Sequence, residues 1–161
     1  MTAGPTAGAA VTDEVAFTEF VEQTEPRLRV ALVSRYGSER GREAAAEALA
    51  WAWEHWHEMD GIRQPVAYLY RVGQSRTRPR MRPRLRLDPP RRDPPWVEPG
   101  LPAALGSLTR RQRMAVVLVH AYDWTYAEAA DVIGVRPGTV KTHLDRGLAK
   151  LRSALEVDAD V

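Results

Sequence analysis

The sequence predicts an all-α protein: two small helical domains joined by a linker rich in proline and arginine, the second domain being a helix-turn-helix. Apolar residues recur at three- and four-residue steps in both halves of the chain, which is the spacing of buried helix faces. Eight of the twelve prolines fall within residues 79–102, a composition typical of a semi-rigid linker. Residues 125–152 have the pattern of a helix, a tight turn and a second helix.

The composition excludes several classes of protein. A chain of 161 residues suffices for one ordinary domain or two small ones, and its 44% hydrophobic content permits packed cores. It contains no cysteine, so disulfides and thiolate chemistry are excluded. No apolar run approaches the ~20 residues of a membrane span, and the first residues lack a signal-peptide pattern. We therefore expect a cytoplasmic protein without membrane insertion.

The net charge of +2 conceals an asymmetric distribution. Residues 12–60 carry 11 acidic and 5 basic side chains, whereas residues 71–92 contain nine arginines against the single Asp88. Residues 107–152 carry 8 basic and 4 acidic side chains. An acidic first half and a basic second half indicate two partners of opposite charge.

The predicted first domain covers residues 15–78 and follows a disordered tail at residues 1–14, which are short of bulky apolar side chains. Apolar positions over residues 15–36 fit one amphipathic helix. Pro26 is expected to kink or interrupt this helix, because proline lacks an N–H and its ring clashes with the preceding turn.

Two further helices are predicted in this domain. One runs from about residue 40 to residue 59, and its predicted buried stripe is Ala45, Ala48, Leu49, Ala52, Trp53 and Trp56. The other begins at Pro65 and ends before Pro79, which biases the residue before it away from helical angles.

Residues 79–100 are predicted to form an extended basic arm. After Ser75 the sequence RTRPRMRPRLRL has an arginine at every second position, a period that does not fit a helix face. Its prolines also exclude a central strand. The arm and the residues leading into it supply candidate phosphate contacts at Arg76, Arg78 and Arg80.

The predicted second domain covers residues 101–156, with a short tail at 157–161. Thr109 and Gln112 form a cap pair that begins one helix, and Thr125 and Glu128 form a capping box that begins the next. Pro137 is suited to the first turn of the last helix. The apolar stripe of that helix is Val140, Leu144, Leu148 and Leu151.

Three residues define the turn between the last two helices. Ala130 is small where the helices cross, Gly134 makes the corner, and Val140 packs the second helix back onto the first. This is the spacing that a DNA-binding helix-turn-helix requires. The alternative is an ordinary helical hairpin with a glycine between its helices, but the cap, the corner and the basic face together favour DNA binding.

No catalytic or metal-binding constellation accompanies this motif. His55 and His57 are near Glu58 and Asp60 in the sequence, but residues two apart on a helix do not face each other, so we expect no metal site. We find no nucleophile–base pair, paired-carboxylate site or phosphate loop. Neither an enzyme nor a bound cofactor is therefore expected.

The carboxy-terminal segment LGSLTRRQRMAVVLVHAYDWTYAEAADVIGVRPGTVKTHLDRGLAKLRSAL resembles the promoter-binding domain of bacterial RNA polymerase sigma factors of the extracytoplasmic-function, sigma-70 related type. The stretch GREAAAEALAWAW is similar to that family's polymerase-binding helix, and PVAYLYRVGQSRTR to the helix that engages the melted promoter. The resemblance covers residues 15–78 and 101–155. It implies core RNA polymerase and double-stranded promoter DNA as partners, with an anti-sigma protein as a further candidate.

The resemblance also assigns roles in the first domain. Glu43 and Glu47 match the acids of the family's polymerase-binding helix, and Ala46 stands where a glutamine is usual. In the promoter-melting helix, Ser75 and Pro79 stand where an asparagine and an aspartate are typical. These two departures leave promoter melting by this chain open.

Residue type divides the DNA-binding candidates of the last helix. Arg136, which stands where the family usually has a capping serine, and Arg146 are expected to neutralise phosphates, which gives affinity without sequence information. The other candidates are Thr139, Lys141, Thr142 and His143, and the last three can reach base edges in the major groove.

A sigma factor that brings RNA polymerase to promoters is the favoured function. The alternatives are a helix-turn-helix transcriptional regulator with a helical sensory or dimerisation amino-terminal domain, and a binding module that sequesters a partner. A regulator of this kind usually needs a dimer to read two half-sites, so a monomer would favour the sigma factor.

Overall fold

The structure, a computed structural model, describes residues 7–77 and 100–159, with the side chains of residues 7–10 and 156–159 left aside. Within those ranges the chain forms seven α-helices and no strand, which confirms the predicted all-α class. The helices are α1 (Ala7–Tyr36), α2 (Ser38–Glu54), α3 (Pro65–Arg76), α4 (Leu101–Ser107), α5 (Arg110–Val116), α6 (Tyr126–Ile133) and α7 (Pro137–Ala159). A 3-10 turn at Trp56–Glu58 follows α2, and a π-helical turn at Val117–Ala121 continues α5.

Helix α1 corrects two expectations about the amino-terminal region. It begins at Ala7, so residues 7–14 are helical and do not belong to a disordered tail. It also continues through Pro26, so of the two expected effects of this proline, a kink or an interruption, the interruption does not occur. Residues 7–14 extend a helix that is already nucleated, which costs little free energy, and several of them are alanine, the best helix former. Pro26 has no N–H to donate to the backbone carbonyl oxygen four residues before it. Because Pro26 is exposed, that oxygen can bind water instead.

The buried face of α2 differs from the predicted stripe: Gly41 and Ala44 are also buried, and the predicted Trp56 lies beyond the end of the helix, in the 3-10 turn. Ala45, Ala48 and Ala52 are buried as expected, but Trp53 is 48% exposed. Its ring touches the ring of Phe17 on α1, at 4.9 Å between centroids, and its other side is open. Trp53 is at the edge of the apolar stripe, where a bulky ring reaches the neighbouring helix with one face only.

Helix α4 begins at Leu101, the first residue of the predicted second domain. Its end is later than expected, because α7 runs to Ala159 and includes most of the predicted tail at residues 157–161. The predicted arm at residues 79–100 falls, apart from Gly100, outside the described residues and stays a prediction.

The core of the first domain is formed where α1, α2 and α3 pack together. Leu28, Leu32, Leu69 and Tyr70 are among its fully buried side chains. Helices α1 and α2 approach so closely at Gly41 that an added Cβ would be 2.4 Å from the Cα of Val33 and 2.5 Å from its backbone N. Glycine at this position is therefore required by the distance between two backbones.

The two domains contact each other through a mixed polar and apolar seam. Arg113 of α5 is buried there, with its Nε 3.4 Å from the carbonyl oxygen of Ser34 on α1. The hydroxyl of Tyr70 on α3 is 3.9 Å from the sulfur of Met114. Burial, and then the charge of Arg110, lower the pKa of Arg113. The buried apolar residues of both domains form one cluster, so their described helices share one continuous core.

None of the helices in residues 7–77 and 100–159 combines the length and apolar character needed to cross a bilayer.

Replacing Gly41 by alanine should destabilise the protein, because the new methyl group would meet backbone atoms that cannot rotate away. We expect a loss of about 1–3 kcal/mol or more, the range for overpacking, and a fall in Tm of several degrees. Gly138→Ala is the matched control, since no atom is within 4 Å of its added Cβ and alanine favours the helix. Thermal melting followed by circular dichroism separates the two; equal melting temperatures would contradict the close approach at Gly41.

Candidate nucleic-acid interface

The first helix of the motif, α6, begins with the predicted capping box. The backbone N–H of Glu128 donates to the hydroxyl of Thr125 at 3.2 Å, and the carboxylate of Glu128 accepts from the backbone N–H of Thr125 at 2.9 Å. The backbone N–H groups of these two residues have no partner within the helix, and each donates to the side chain of the other. This exchange fixes where the helix begins.

The corner after α6 has the geometry that the sequence predicted. Gly134 is in the left-handed conformation, with φ 76° and ψ 42°, and its N–H donates to the carbonyl oxygen of Ala130 at 2.8 Å. Ala130 is buried where α6 meets α7, and Val140 is fully buried. The crossing angle of the two helices is thus set by a small residue, a left-handed glycine and a buried valine.

Helix α7 begins at Pro137, as predicted, and buries one side. Val140, Leu144 and Leu151 are buried, and Leu148 is partly buried. The carbonyl oxygen of Arg136 accepts from the N–H groups of Thr139 and Val140, and the Arg136 side chain is exposed beside the helix start.

The solvent-facing side of α7, together with Arg136 just before its first residue, forms what we call the recognition surface. It consists of Arg136, Thr139, Lys141, Thr142, Asp145 and Arg146, all of which are exposed. The hydroxyl of Thr142 donates to the carbonyl oxygen of Gly138 at 3.2 Å. Three of the six side chains are cationic, so this surface is chemically suited to a polyanion.

His143 is less available than its neighbours on α7. Its side chain is half-buried, and its Nε2 is buried without a hydrogen-bond partner among the described residues. Burial, and then the charges of Arg111 and Arg146, lower the pKa of His143 and so favour the neutral ring. Base reading by His143 stays a prediction, and it would require a rearrangement of this ring.

The sequence reasoning missed Asp145, which is paired with Lys141. The Lys141 Nζ donates to an Asp145 carboxylate oxygen at 2.9 Å, with the two side chains 62% and 58% exposed. The hydrogen bond from Lys141 to Asp145, and then the charge of Asp145, raise the pKa of Lys141. The four-residue spacing of a lysine and an aspartate on a helix was the signal that could have identified the pair.

The remaining DNA-binding candidates are not on α7. Arg76 is exposed in the last turn of α3, in the first domain, whereas Arg78 and Arg80 lie outside the described residues. In this domain Ser75 is exposed, and its hydroxyl donates to the carbonyl oxygen of Val72 at 2.8 Å.

The acids assigned to polymerase binding are on the outer face of α2. Glu43 and Glu47 are exposed and one helical turn apart. The opposite face of the helix, which contains Ala44, Ala45 and Ala48, is buried. The structure thus brings the two acids together on an accessible surface.

His55, just after the end of α2, has a packing role. The ring of His55 stacks on Trp51 at 4.3 Å between centroids, and its Nδ1 is 2.9 Å from the Trp51 carbonyl oxygen. Within the described ranges, no group of three or more His, Cys, Asp or Glu side chains converges to hold a metal ion.

A charged contact of the seam reaches the capping box of α6. The guanidinium of Arg27 on α1 is 2.8 Å from the carboxylate of Glu128 and 4.5 Å from the ring centroid of Trp124. Burial alone would raise the pKa of Glu128, but hydrogen bonds from Thr125 and Arg27 outweigh it and hold that pKa below its usual value. The capping box was predicted, but the distant Arg27 left no signal in the sequence.

Comparisons with known proteins agree with this geometry. Residues 100–151 match the family model described as sigma-70, region 4. An extracytoplasmic-function RNA polymerase sigma factor, EcfG of Rhodopseudomonas palustris (strain TIE-1), is 41% identical over 56 residues, which are 35% of this chain and 31% of that protein. Residues 100–151 are thus similar to sigma-70 region 4, and the matched segment spans about a third of the length of the curated relative.

The fold of the chain is also similar to a solved sigma factor. The sigma factor RpoE of Bartonella quintana, crystallised with the anti-sigma factor NepR, superposes with a TM-score of 0.63 and 19% identity. The superposition covers 89% of this chain and 98% of RpoE. The matched region 4 contains α4, α5, α6 and most of α7, so it includes the whole recognition surface.

Gly134→Val should destabilise the second domain through backbone strain. Nothing is within 4 Å of an added Cβ at Gly134, so the expected cost of about 1–3 kcal/mol comes from the left-handed conformation alone. Gly134→Asn is the matched control, because asparagine tolerates that conformation better than valine. Chemical denaturation measures both variants. If valine is tolerated as well as asparagine, the corner does not depend on positive φ.

Glu128 should make the stability of the protein depend on pH in the acid range. Its pKa is depressed in the folded state, so its contribution is complete above the unfolded value near 4.3 and is lost as pH falls through the folded value. We expect Glu128→Gln to lose at most about 1 kcal/mol at pH 7, since the ion pair is solvent-exposed. The difference from wild type should shrink as the solution is acidified from pH 5 towards pH 3, measured by urea denaturation.

Glu19→Gln, which removes one exposed acid from the middle of α1, controls for the change in net charge. A difference between wild type and Glu128→Gln that widens on acidification would contradict the stabilising role of the carboxylate.

Proposed function

We propose that this chain is an RNA polymerase sigma factor that binds core RNA polymerase and directs it to specific promoters. The observation that carries the proposal is the recognition surface, which a sigma-70 region 4 domain holds open to solvent on α7. Its Arg136 and Arg146 would neutralise phosphates, while Lys141 and Thr142 would reach base edges in the major groove. Arg76 and the arginine-rich arm would add phosphate contacts that depend on salt concentration.

The outer face of α2 supports polymerase as the second partner. Ala46, Ala50 and the half-exposed Trp53 form an apolar strip along this face. The exposed acids Glu43 and Glu47 are beside the strip. An apolar centre with a charged rim is typical of protein interfaces, and exposed tryptophan is enriched in them. The acids would pair with basic or polar groups of polymerase.

The proposed role requires no catalysis by this chain, because polymerase supplies the chemistry of RNA synthesis. Binding to polymerase and promoter DNA would place the protein in the cytoplasm. The solved relative RpoE is crystallised with an anti-sigma factor, and we propose a protein of the same kind as an inhibitor of this chain.

The double substitution Glu43→Lys and Glu47→Lys should prevent binding to core RNA polymerase. Charge reversal would place like charges against a basic partner, which costs several kcal/mol at an interface. Because both side chains are exposed, the variant should keep its helical content and its binding to DNA through α7. The measurement is co-elution with core enzyme on gel filtration, followed by transcription from a cognate promoter.

Glu19→Lys with Glu22→Lys is the matched control, since it reverses two exposed acids one turn apart on α1. It should co-elute as wild type does. If wild type fails to co-elute with excess core enzyme, the sigma-factor proposal is wrong. A dimeric chain that binds DNA without polymerase would then be the helix-turn-helix regulator.

A further inference from the structure

Asp145 places a negative charge on the recognition surface, where the proposed function requires contact with a polyanion. Its side chain is 58% exposed. Lys141 contacts it one helical turn away, and Arg146 follows it in the sequence. An acid that merely faced phosphates would weaken binding. Its position therefore calls for a role in which a carboxylate contacts a hydrogen-bond donor of the nucleic acid.

The contact with Lys141 defines the geometry of this carboxylate. The Lys141 Nζ and the Asp145 carboxylate oxygen are 2.9 Å apart, one turn from each other on the solvent side of α7. The ammonium has three N–H groups and the carboxylate has two oxygens, so each keeps hydrogen-bonding capacity after the pair has formed. Side by side, they offer donors next to acceptors.

The major-groove edge of a G·C base pair offers the complementary pattern. Guanine presents two acceptors, N7 and O6, and the paired cytosine presents the N4 donor next to them. In the base pair, O6 and N4 are joined by a hydrogen bond, so they are separated by about 2.7–3.2 Å, which matches the Lys141–Asp145 separation. An A·T pair also places an acceptor beside a donor, thymine O4 next to adenine N6, but it offers the ammonium a single acceptor there, whereas guanine offers the adjacent pair N7 and O6.

We propose that Lys141 and Asp145 act as one unit that reads a single G·C base pair in a fixed orientation. The Lys141 ammonium donates to N7 and O6 of guanine, and the Asp145 carboxylate accepts from N4 of cytosine. The inference rests on the proposed function, because it assumes that α7 lies in the major groove, and it adds a base-pair preference to that function. Asp145 also limits non-specific binding, since its charge repels phosphates wherever no cytosine N4 is opposite.

The test is selection of bound duplexes from a random-sequence pool by the full chain, for wild type, Lys141→Ala, Asp145→Ala and the double variant. Wild type should enrich G·C, in one orientation, at one position of the selected site. Each single variant should lose about ten-fold of that preference, within the range of a good base contact. If the two side chains act together, the double variant should lose little more than either single variant.

Two further measurements distinguish base reading by Asp145 from a purely structural role of this residue. Asp145→Ala should bind random DNA more tightly than wild type, with a log–log salt slope steeper by about 1, because one repulsive charge is gone. Glu19→Ala removes an exposed acid from α1 and should change neither the base preference nor the slope. Circular dichroism should show unchanged folding for every variant.

The outcomes distinguish this inference from the function on which it rests. If wild type selects a sequence but Asp145→Ala keeps the full G·C preference, Lys141 reads alone and the inference is wrong, while the promoter-binding function stands. Selection of A·T at the position that depends on Lys141 would also overturn it. If wild type selects no sequence at all, both the inference and promoter reading by α7 fail.

Discussion

The crossing of α6 and α7 is the constraint on which the carboxy-terminal half depends. It is made by a left-handed glycine, Gly134, between buried Ala130 and buried Val140. Because Val140 fixes the rotation of α7, it also decides which residues of that helix face solvent. The recognition surface is therefore a consequence of core packing: a rotation of α7 by one residue would turn Lys141 towards the core.

The seam between the domains adds a second constraint at the other end of α6. Glu128 accepts from Thr125 in the capping box and also binds Arg27 of α1. One carboxylate thus stabilises a helix start within its own domain and a contact with the other domain. The pair is exposed, so each part contributes modestly and is weakened by salt. Buried Arg113 and the Tyr70–Met114 contact add a less exposed set of interactions to the same seam.

The charge asymmetry of the sequence corresponds to two separate surfaces in the fold. The acids of α2 face solvent beside the half-exposed Trp53, whereas three of the six side chains of the recognition surface are cationic. Both surfaces are on helices whose opposite faces are buried in the core, so their geometry is rigid. Rigid helix faces position side chains more accurately than loops do, which suits recognition of a partner and of base edges.

The sequence by itself determined the features that depend on local chemistry. Capping boxes, the left-handed Gly134 and the apolar stripe of α7 are set by residues within one or two turns of each other, so their spacing in the chain is sufficient evidence. The tertiary structure decided what depends on distant neighbours. Pro26 is accommodated within α1, Trp53 is left half-exposed by α1, and Arg27 reaches Glu128 only because two domains pack together. Such contacts join residues far apart in the chain, and no local pattern records them.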